Sequence, residues 1–384
     1  MHCQYFETNQ CRSCQWLDTP YAQQLAKKTT ELAALLTPFS PPPFLASVPS
    51  PQSAFRNKAK MVVLGTSSKP ILGIISPKGL ATSLCDCPLY PEDMQQILKD
   101  LETWLATLNI APYDVKRRQG ELKYVLLNRN EQGLFMLRFV LRSTIPIPVI
   151  TAALPHLLAT QTQIQTVSVN IQALHAAILE GPEEQVLHGD QWLRQTLNGI
   201  PLYQRPKGFF QTNPQMAAKL YATAAQWLSN LEVNEVWDLF CGSGGFGLHC
   251  LHPERRLTGI EIEPEAIACA TRSAEELGVL AQVRFSALDS ATFAGHHSED
   301  ENQTSRPATP DIVIVNPPRR GLGQALCHDL ANINAPYILY SSCNAHTLAK
   351  DLQQLGQYRI QHVQLFDMFP NTAHYEVLLL LTRL

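Results

Sequence analysis

Four glycines within six residues, closing an apolar strand, constrain this chain more than any other feature: Val236-Trp-Asp-Leu-Phe-Cys-Gly-Ser-Gly-Gly-Phe-Gly247, followed by Leu248-His-Cys250. Without a Cβ the backbone turns sharply and lets a ligand come close, while the free N–H groups of a helix start face whatever is bound. The stretch predicts a strand, a nucleotide-type cradle and a helix.

Which nucleotide it takes is open from the glycines alone. Gly242, Gly244 and Gly247 satisfy the G-x-G-x-x-G dinucleotide fingerprint, and Glu261 follows near the spacing expected for a ribose hydroxyl contact. Two further features decide it: Asp238 inside the strand, and Asn316-Pro317-Pro318 at the end of a later strand. Together they resemble the Asp-x-Phe-x-Gly-x-Gly and Asn-Pro-Pro signatures of S-adenosylmethionine-dependent methyltransferases.

A chain of 384 residues buries a large core and divides into two or three domains. Thirty Lys plus Arg against thirty-three Asp plus Glu leave a net charge of −3, so no global positive field draws it to nucleic acid. A nucleic-acid partner must be held by local patches. The amino terminus lacks a basic flank leading into an apolar core, and the longest apolar run, Val377 to Leu381, is too short to cross a bilayer. A cytoplasmic protein without membrane association is expected. Five of the ten cysteines fall within the first 87 residues, a clustering that points to metal binding or catalysis rather than disulfides.

Cys11-x-x-Cys14 is a pair able to grip one metal from a tight turn, and Cys3 adds a third thiolate. The fourth ligand is sought in Leu84-Cys-Asp-Cys-Pro88, where Cys87 precedes a proline, as in several iron–sulfur runs, and Cys85 competes. By spacing, structural zinc and an iron–sulfur cluster suit these residues equally.

Residues 18–36 read as a helix, and 55–64 as a basic lead into an alternating strand partnered by 71–75. Arg56, Lys58 and Lys60 fall on alternate positions, a row of cations suited to a phosphate backbone or to a solvated face. A helix through Met94 to Leu105 and strands at 122–127, 134–141 and 167–171 form a separate α+β domain, with basic points at Lys116-Arg-Arg118, Arg138 and Arg142. His175 is read as a packing or capping residue. Residues 181–200 read as a turn-rich connector.

In the carboxy-terminal half, Asn213 caps a helix that has Pro214 in its first turn. Strands at 236–240, 257–261 and 283–289 alternate with helices, the doubly wound plan in which ligands lie beyond the strands' carboxyl ends. Asp238, Glu261, Asp289 and Asn316 fall near those ends. Residues 295–310 read as a polar surface loop, 311–316 and 337–342 as two more strands, and 359–366 with 376–381 as a terminal hairpin. The expected fold is α/β: a class I, Rossmann-like, doubly wound methyltransferase domain at 201–384, an α+β central domain at 91–200, and a cysteine-bearing region at 1–90.

Cys343 ends a strand at the ligand edge, where a nucleophile belongs. Asn-Pro-Pro-Arg-Arg-Gly321, Tyr-Ser-Ser-Cys-Asn344, His374-Tyr-Glu376, Phe-Phe-Gln211 and the amino-terminal cysteines together resemble the RNA uracil-C5 methyltransferases, in particular their iron–sulfur members that modify 23S ribosomal RNA. The resemblance covers essentially the whole chain. It implies a [4Fe–4S] cluster on Cys3, Cys11, Cys14 and Cys87. It also implies methyl-donor contacts from Gln211, Phe240, Gly242, Glu261 and Asn316, with Cys343 as nucleophile and Glu376 as base. C5 of uracil is a poor nucleophile until a thiolate adds at C6, which gives Cys343 its role, and the C5 proton must then be removed, which gives Glu376 its own. Arg319 and Arg320 are candidates to hold a phosphate or the developing enolate oxygen. The target base must leave its stack, so a loop nucleotide of 23S ribosomal RNA is the expected substrate.

The chain begins at the cluster cysteines, without the small β-barrel RNA-binding domain of a sister family, so RNA contact is expected on the cluster region and central domain. A monomer is expected, with no protein partner implied. A donor-binding RNA-folding factor without turnover and a tRNA-directed enzyme would share most of these features.

Overall fold

The computed structural model describes residues 1–176, 178–299 and 309–384. They fall into two compact units, one built from Met1–Cys14, Pro51–Gln195 and Arg205–Lys207, the other from Gln15–Ser50, Thr196–Gln204 and Gly208–Leu384. The chain opens with helices α1 (Gln4–Glu7) and α2 (Tyr21–Leu36), then strands β1 (Lys58–Gly65), β2 (Pro70–Ile75) and β3 (Ala81–Ser83). Helix α3 (Glu92–Leu108), strands β4 (Leu122–Arg129) and β5 (Phe135–Leu141), helix α4 (Ile147–Thr160) and strands β6 (Ile164–Ile171) and β7 (Glu183–His188) follow. Strands β8 (Leu193–Leu197) and β9 (Ile200–Gln204) form a separate two-stranded ribbon. The second half runs α5 (Pro214–Ser229), β10 (Glu235–Leu239), α6 (Gly245–His249), β11 (Arg256–Glu261), α7 (Pro264–Leu277), β12 (Val283–Ala287) and α8 (Ser290–Glu299). It closes with β13 (Ile312–Val315), α9 (Gln324–Ile333), β14 (Tyr337–Ser342), α10 (Ala345–Gln354), β15 (Tyr358–Phe366) and β16 (Glu376–Arg383).

The first unit is a seven-stranded sheet ordered β3-β2-β1-β4-β5-β6-β7. Only β5 and β6 run parallel among neighbours, and α4 is the crossover that such a pair requires. Strands from segments 1–90 and 91–200 thus share one sheet. Met94, Ile97, Leu101 and Trp104 on one stripe of α3 pack with Met61, Val63, Val125 and Phe139 of the sheet. Helix α4 is absent from the sequence reading because Pro146, Pro148 and Pro155 resemble breakers, yet Ile150, Leu154 and Leu157 bury one face of it. Arg138 is fully buried, and its charge is met by Glu180 at 2.9 Å and Glu184 at 2.5 Å. Ser168 and Asn170 also donate to Glu184. Lys58 and Lys60 alternate with buried Ala59 and Met61 on β1; Lys60 is exposed, whereas Lys58 is half-buried and its ammonium pKa is pulled down by that burial.

The second unit carries the sheet β12-β11-β10-β13-β14-β16-β15, in which β12 to β14 are parallel and β16 and β15 antiparallel. Strand order reverses beside β10, the switch point where a doubly wound sheet opens a crevice at its carboxyl edge. Its central strands are buried on both faces, so Ile312-Val-Ile-Val315 is a continuous apolar run with no alternation. Trp237 and Leu239 pack into one layer with Leu330 of α9 and Leu348 of α10. Val236 packs into the other with Leu220 and Trp227 of α5.

Helix α2 also belongs to this second unit, although it lies in the segment expected to form the cysteine-bearing region. Leu32 and Leu36 are fully buried in the Trp237 layer, and Gln24 and Lys28 are buried against partners near residue 370. The expected loop at 295–310 is corrected in part. Asp289 accepts from the N–H groups of Ala291 and Thr292 and so caps α8, and Phe293 packs edge-on to Trp237 at 4.9 Å. Residues 300–308 lie outside the described residues. No helix among the described residues is long and apolar enough to cross a membrane.

Candidate active site

Asp238 braces the glycine turn. Its Oδ2 accepts from the Gly247 N–H at 2.8 Å, and a Cβ at Gly247 would lie 2.7 Å from the Leu257 side chain. Gly244 caps α6 with φ of 84°, a left-handed conformation, and Phe240 adopts φ of 67° without being glycine. A left-handed phenylalanine stores local strain, which persists only where the surroundings demand it. Asp238 is buried and its carboxyl is pushed up to about 7, chiefly by burial, with the Gly247 bond opposing. Its Oδ1 is buried without a hydrogen-bond partner.

Glu261 ends β11 beside this turn. Its Oε2 accepts from the Gly242 N–H at 3.2 Å, and its Oε1 from Ile262 and Glu263 at 2.8 and 3.2 Å. A carboxylate offers about four acceptor positions, so three backbone donors hold it rigid and leave one for a ligand hydroxyl. An orphaned buried oxygen, a glycine-rich turn and an immobilised acid make a cradle that fits a nucleoside-bearing donor. Asn316 follows β13 at the same sheet edge, half-buried, and Gln211 is half-buried two residues before the Asn213 cap.

The second group lies at the end of β14. The β14–β16 register pairs Ser341 with Leu378 and Ser342 with Val377, so one further step sets Cys343 across from Glu376. Antiparallel neighbours in such a position bring their side chains within reach. Burial and the Glu376 carboxylate push the Cys343 thiol above its ordinary pKa, while the charge and hydrogen bond of Arg319 pull it down. Glu376 is itself buried and pushed up to about 7 by that burial, with the Ser341 hydroxyl donating to its Oε1 at 2.6 Å. A half-buried thiol near a guanidinium can add to an electrophilic carbon, and a neighbouring carboxyl that titrates near neutrality can take a proton from the adduct. Arg320, next to Arg319, is exposed.

Sequence reasoning missed what holds Glu376. Gln24 and Asn371 exchange two hydrogen bonds, the Trp16 N–H donates to the Asn371 carbonyl at 3.0 Å, and Lys28 reaches Asp367 at 2.6 Å with both side chains fully buried. Helix α2 therefore clamps the loop leading into His374-Tyr-Glu376. The polar residues Gln24 and Lys28, on the apolar stripe of α2, were the available signal. Ser341 gave none, since a serine in a buried strand is unremarkable without its partner.

In the first unit, Cys3, Cys11 and Cys87 pack beside the core. The Cys14 and Cys87 thiols are pushed up to about 11 and about 12, first by burial and then by neighbouring cysteines: Cys11 and Cys3 beside Cys14, and all three others beside Cys87. Cys3, Cys11, Cys14 and Cys87 thus lie near one another, and four thiolates are a donor set that a thiolate-bound metal group takes. Cys85 stands apart, its thiol facing the Leu72 carbonyl at 3.8 Å with Ser83 and Glu102 around it. Among the described residues no three His, Cys, Asp or Glu side chains meet as ligands of a single ion.

The family model described as tRNA (Uracil-5-)-methyltransferase matches residues 190–384. A protein of Shewanella loihica named 23S rRNA (uracil(747)-C(5))-methyltransferase RlmC is 55% identical over 385 residues, covering 100% of both chains. Its namesake in Pectobacterium carotovorum is 53% identical over 384 residues, again 100% of both. The structure of Pyrococcus abyssi tRNA (uracil-54, C5)-methyltransferase in complex with S-adenosyl-L-homocysteine covers 96% of this chain and 85% of its own, with a TM-score of 0.77 at 23% identity, a likeness of fold. By full-length kinship the chain belongs to the S-adenosylmethionine-dependent RNA uracil-C5 methyltransferases.

Proposed function

We propose that this enzyme methylates C5 of a uridine in 23S ribosomal RNA, through a covalent bond between Cys343 and C6 of the base. Support for the substrate comes from relatives named for 23S rRNA that match over the full chain. The observation that carries the mechanism is the facing of Cys343 and Glu376 with Arg319 beside the thiol. Bound S-adenosylmethionine would supply an electrophilic methyl group, held by Gln211, Phe240, Gly242, Glu261 and Asn316.

The Cys343 thiolate adds to C6, forming a C–S bond, and the electrons of the C5–C6 double bond pass toward the C4 oxygen as an enolate. Arg319 offsets charge at the thiolate and is placed to meet negative charge on the ring. After C5 has gained its methyl group, Glu376 accepts the C5 proton, the C5–C6 double bond re-forms and Cys343 leaves. A carboxyl poised near 7 suits that step at physiological pH. Because the base must be splayed out of its stack, a loop nucleotide is the natural substrate. Such an activity would set the protein in the cytoplasm.

Cys3, Cys11, Cys14 and Cys87 are assigned to a [4Fe–4S] cluster, which when bound would cross-link the α1 segment to the turn around residue 87. The transfer needs no electron, so these cysteines act on folding and RNA contact. RNA contact is assigned to the first unit, where exposed Lys116, Arg117 and Arg118 cap a turn shaped by Asp114, which accepts from the Lys116 and Arg117 N–H groups. Beside it Tyr113, Lys123 and His175 line a cleft of ≈ 310 Å³. Lys123 lies 4.5 Å over the Tyr113 ring, and the Tyr113 hydroxyl and His175 Nδ1 are 2.9 Å apart. Aromatic faces with flanking cations suit single-stranded RNA.

The test is a map of 5-methyluridine across ribosomal RNA from cells lacking the gene. One 23S position should lose its methyl group and regain it with the wild-type gene but not with Cys343→Ala. An unchanged map would overturn the proposal.

A further inference from the structure

The loop that carries Arg319 is tied down twice, both times from α10 and its cap Asn344, the residue that follows Cys343. The Arg319 carbonyl accepts from Asn344 Nδ2 at 2.9 Å and from Thr347 Oγ1 at 3.2 Å. Two turns along the helix, Asp351 Oδ2 accepts from the Leu322 N–H at 2.9 Å, and Oδ1 from the Gly323 N–H at 3.3 Å. The Tyr340 hydroxyl, reaching from the strand that delivers Cys343, donates to Asp351 Oδ2 at 2.5 Å. Asp351 is buried, and Gly321 passes so close over it that a Cβ there would lie 2.5 Å from Oδ2. Gly321 also has φ of 80°, so only glycine lets the loop cross the carboxylate.

We infer that Asp351 is a positioning residue for the reaction: it locks the 319–323 loop so that Arg319 stays against the Cys343 sulfur. An exposed arginine on an untethered loop would lose the contact to side-chain entropy and solvent. A carboxylate accepting two backbone N–H groups and one hydroxyl in a buried site supplies the rigidity that the surface-exposed guanidinium lacks. The inference rests on the proposed role of Cys343, but the coupling can be measured without RNA or methyl donor.

The experiment alkylates the full-length protein with iodoacetamide across pH and follows the Cys343 peptide by mass spectrometry. Asp351→Ala should move the Cys343 profile upward in pH and slow alkylation at pH 8 several-fold. Arg319→Gln should give the same shift, and the double variant no further shift, the non-additivity expected when one residue acts through the other. Asp351→Asn keeps an acceptor for one N–H and should lie between wild type and Asp351→Ala, which serves should the alanine variant fold poorly. A wild-type profile in both Asp351 variants, or a double variant whose shift is the sum of the singles, would overturn the inference. Failure of the uridine reading would show instead as methyl transfer that survives Cys343→Ala, whatever the alkylation profiles.

Discussion

Cys343 and Glu376 stand opposite each other one step past the end of the β14–β16 ladder, and the Glu376 carboxylate makes the Cys343 thiol harder to ionise. A thiol made harder to ionise by a carboxylate beside it gains from the neighbouring Arg319 guanidinium. The pair separates the two tasks of the reaction, addition and proton removal, between one strand end and the next strand's start.

Glu376→Gln should cut methyl transfer by about 10²–10⁴-fold, the usual contribution of a positioned base. The wild-type rate should climb through an ascending limb near pH 7, and the residual rate of the variant should lack it. Stability moves the opposite way. The folded pKa of about 7 lies above the ordinary 4.5, so the favourable contribution is complete below about 4.5 and is lost as pH rises through 7. Urea unfolding at pH 8 should find Glu376→Gln more stable than wild type by about 1–3 kcal/mol, a gap that closes below pH 5.

Lys28 and Asp367 form a fully buried ion pair that ties α2 to the loop before Glu376. Asp367→Ala strands an ammonium in the core and should cost about 3–5 kcal/mol, whereas the double change Lys28→Met, Asp367→Leu should recover most of it. Urea titration of the three variants checks this; single-variant losses under about 1 kcal/mol would mean the pair is not a clamp.

Lys116, Arg117 and Arg118 changed to glutamine should weaken binding to a 23S rRNA fragment and flatten the plot of log affinity against log salt by about two to three units of slope. Affinity for S-adenosylhomocysteine should not change. Filter binding at several salt concentrations gives both numbers.

Anaerobically purified protein should hold about four iron and four sulfide per chain, falling sharply in Cys14→Ser and Cys87→Ser but not in Cys85→Ser. Iron and sulfide analysis decides it, and zinc in their place would replace the cluster with a structural site.

The glycine turn, Asp238, Glu261 and the strand-end Cys343 were legible because each sits at a position where the doubly wound plan allows little else. Helix α2 was legible as a helix but not as part of the catalytic unit, since its partners Asp367 and Asn371 lie more than three hundred residues away in sequence. Helix α4 was hidden by its prolines, and α8 by polar residues after Phe293. Nothing in the sequence singles out Asp351. Its meaning comes from Gly321 and Tyr340, which only the tertiary fold brings to it.

The central claim is a bond between the Cys343 sulfur and C6 of a uracil. A 23S rRNA fragment carrying 5-fluorouridine, which has no C5 proton for Glu376 to remove, should stall on the enzyme in the presence of S-adenosylmethionine. The account predicts a denaturation-resistant protein–RNA adduct whose modified peptide contains Cys343, absent in Cys343→Ala. Methylated fluorouridine RNA released without an adduct, or an adduct on another residue, would contradict it.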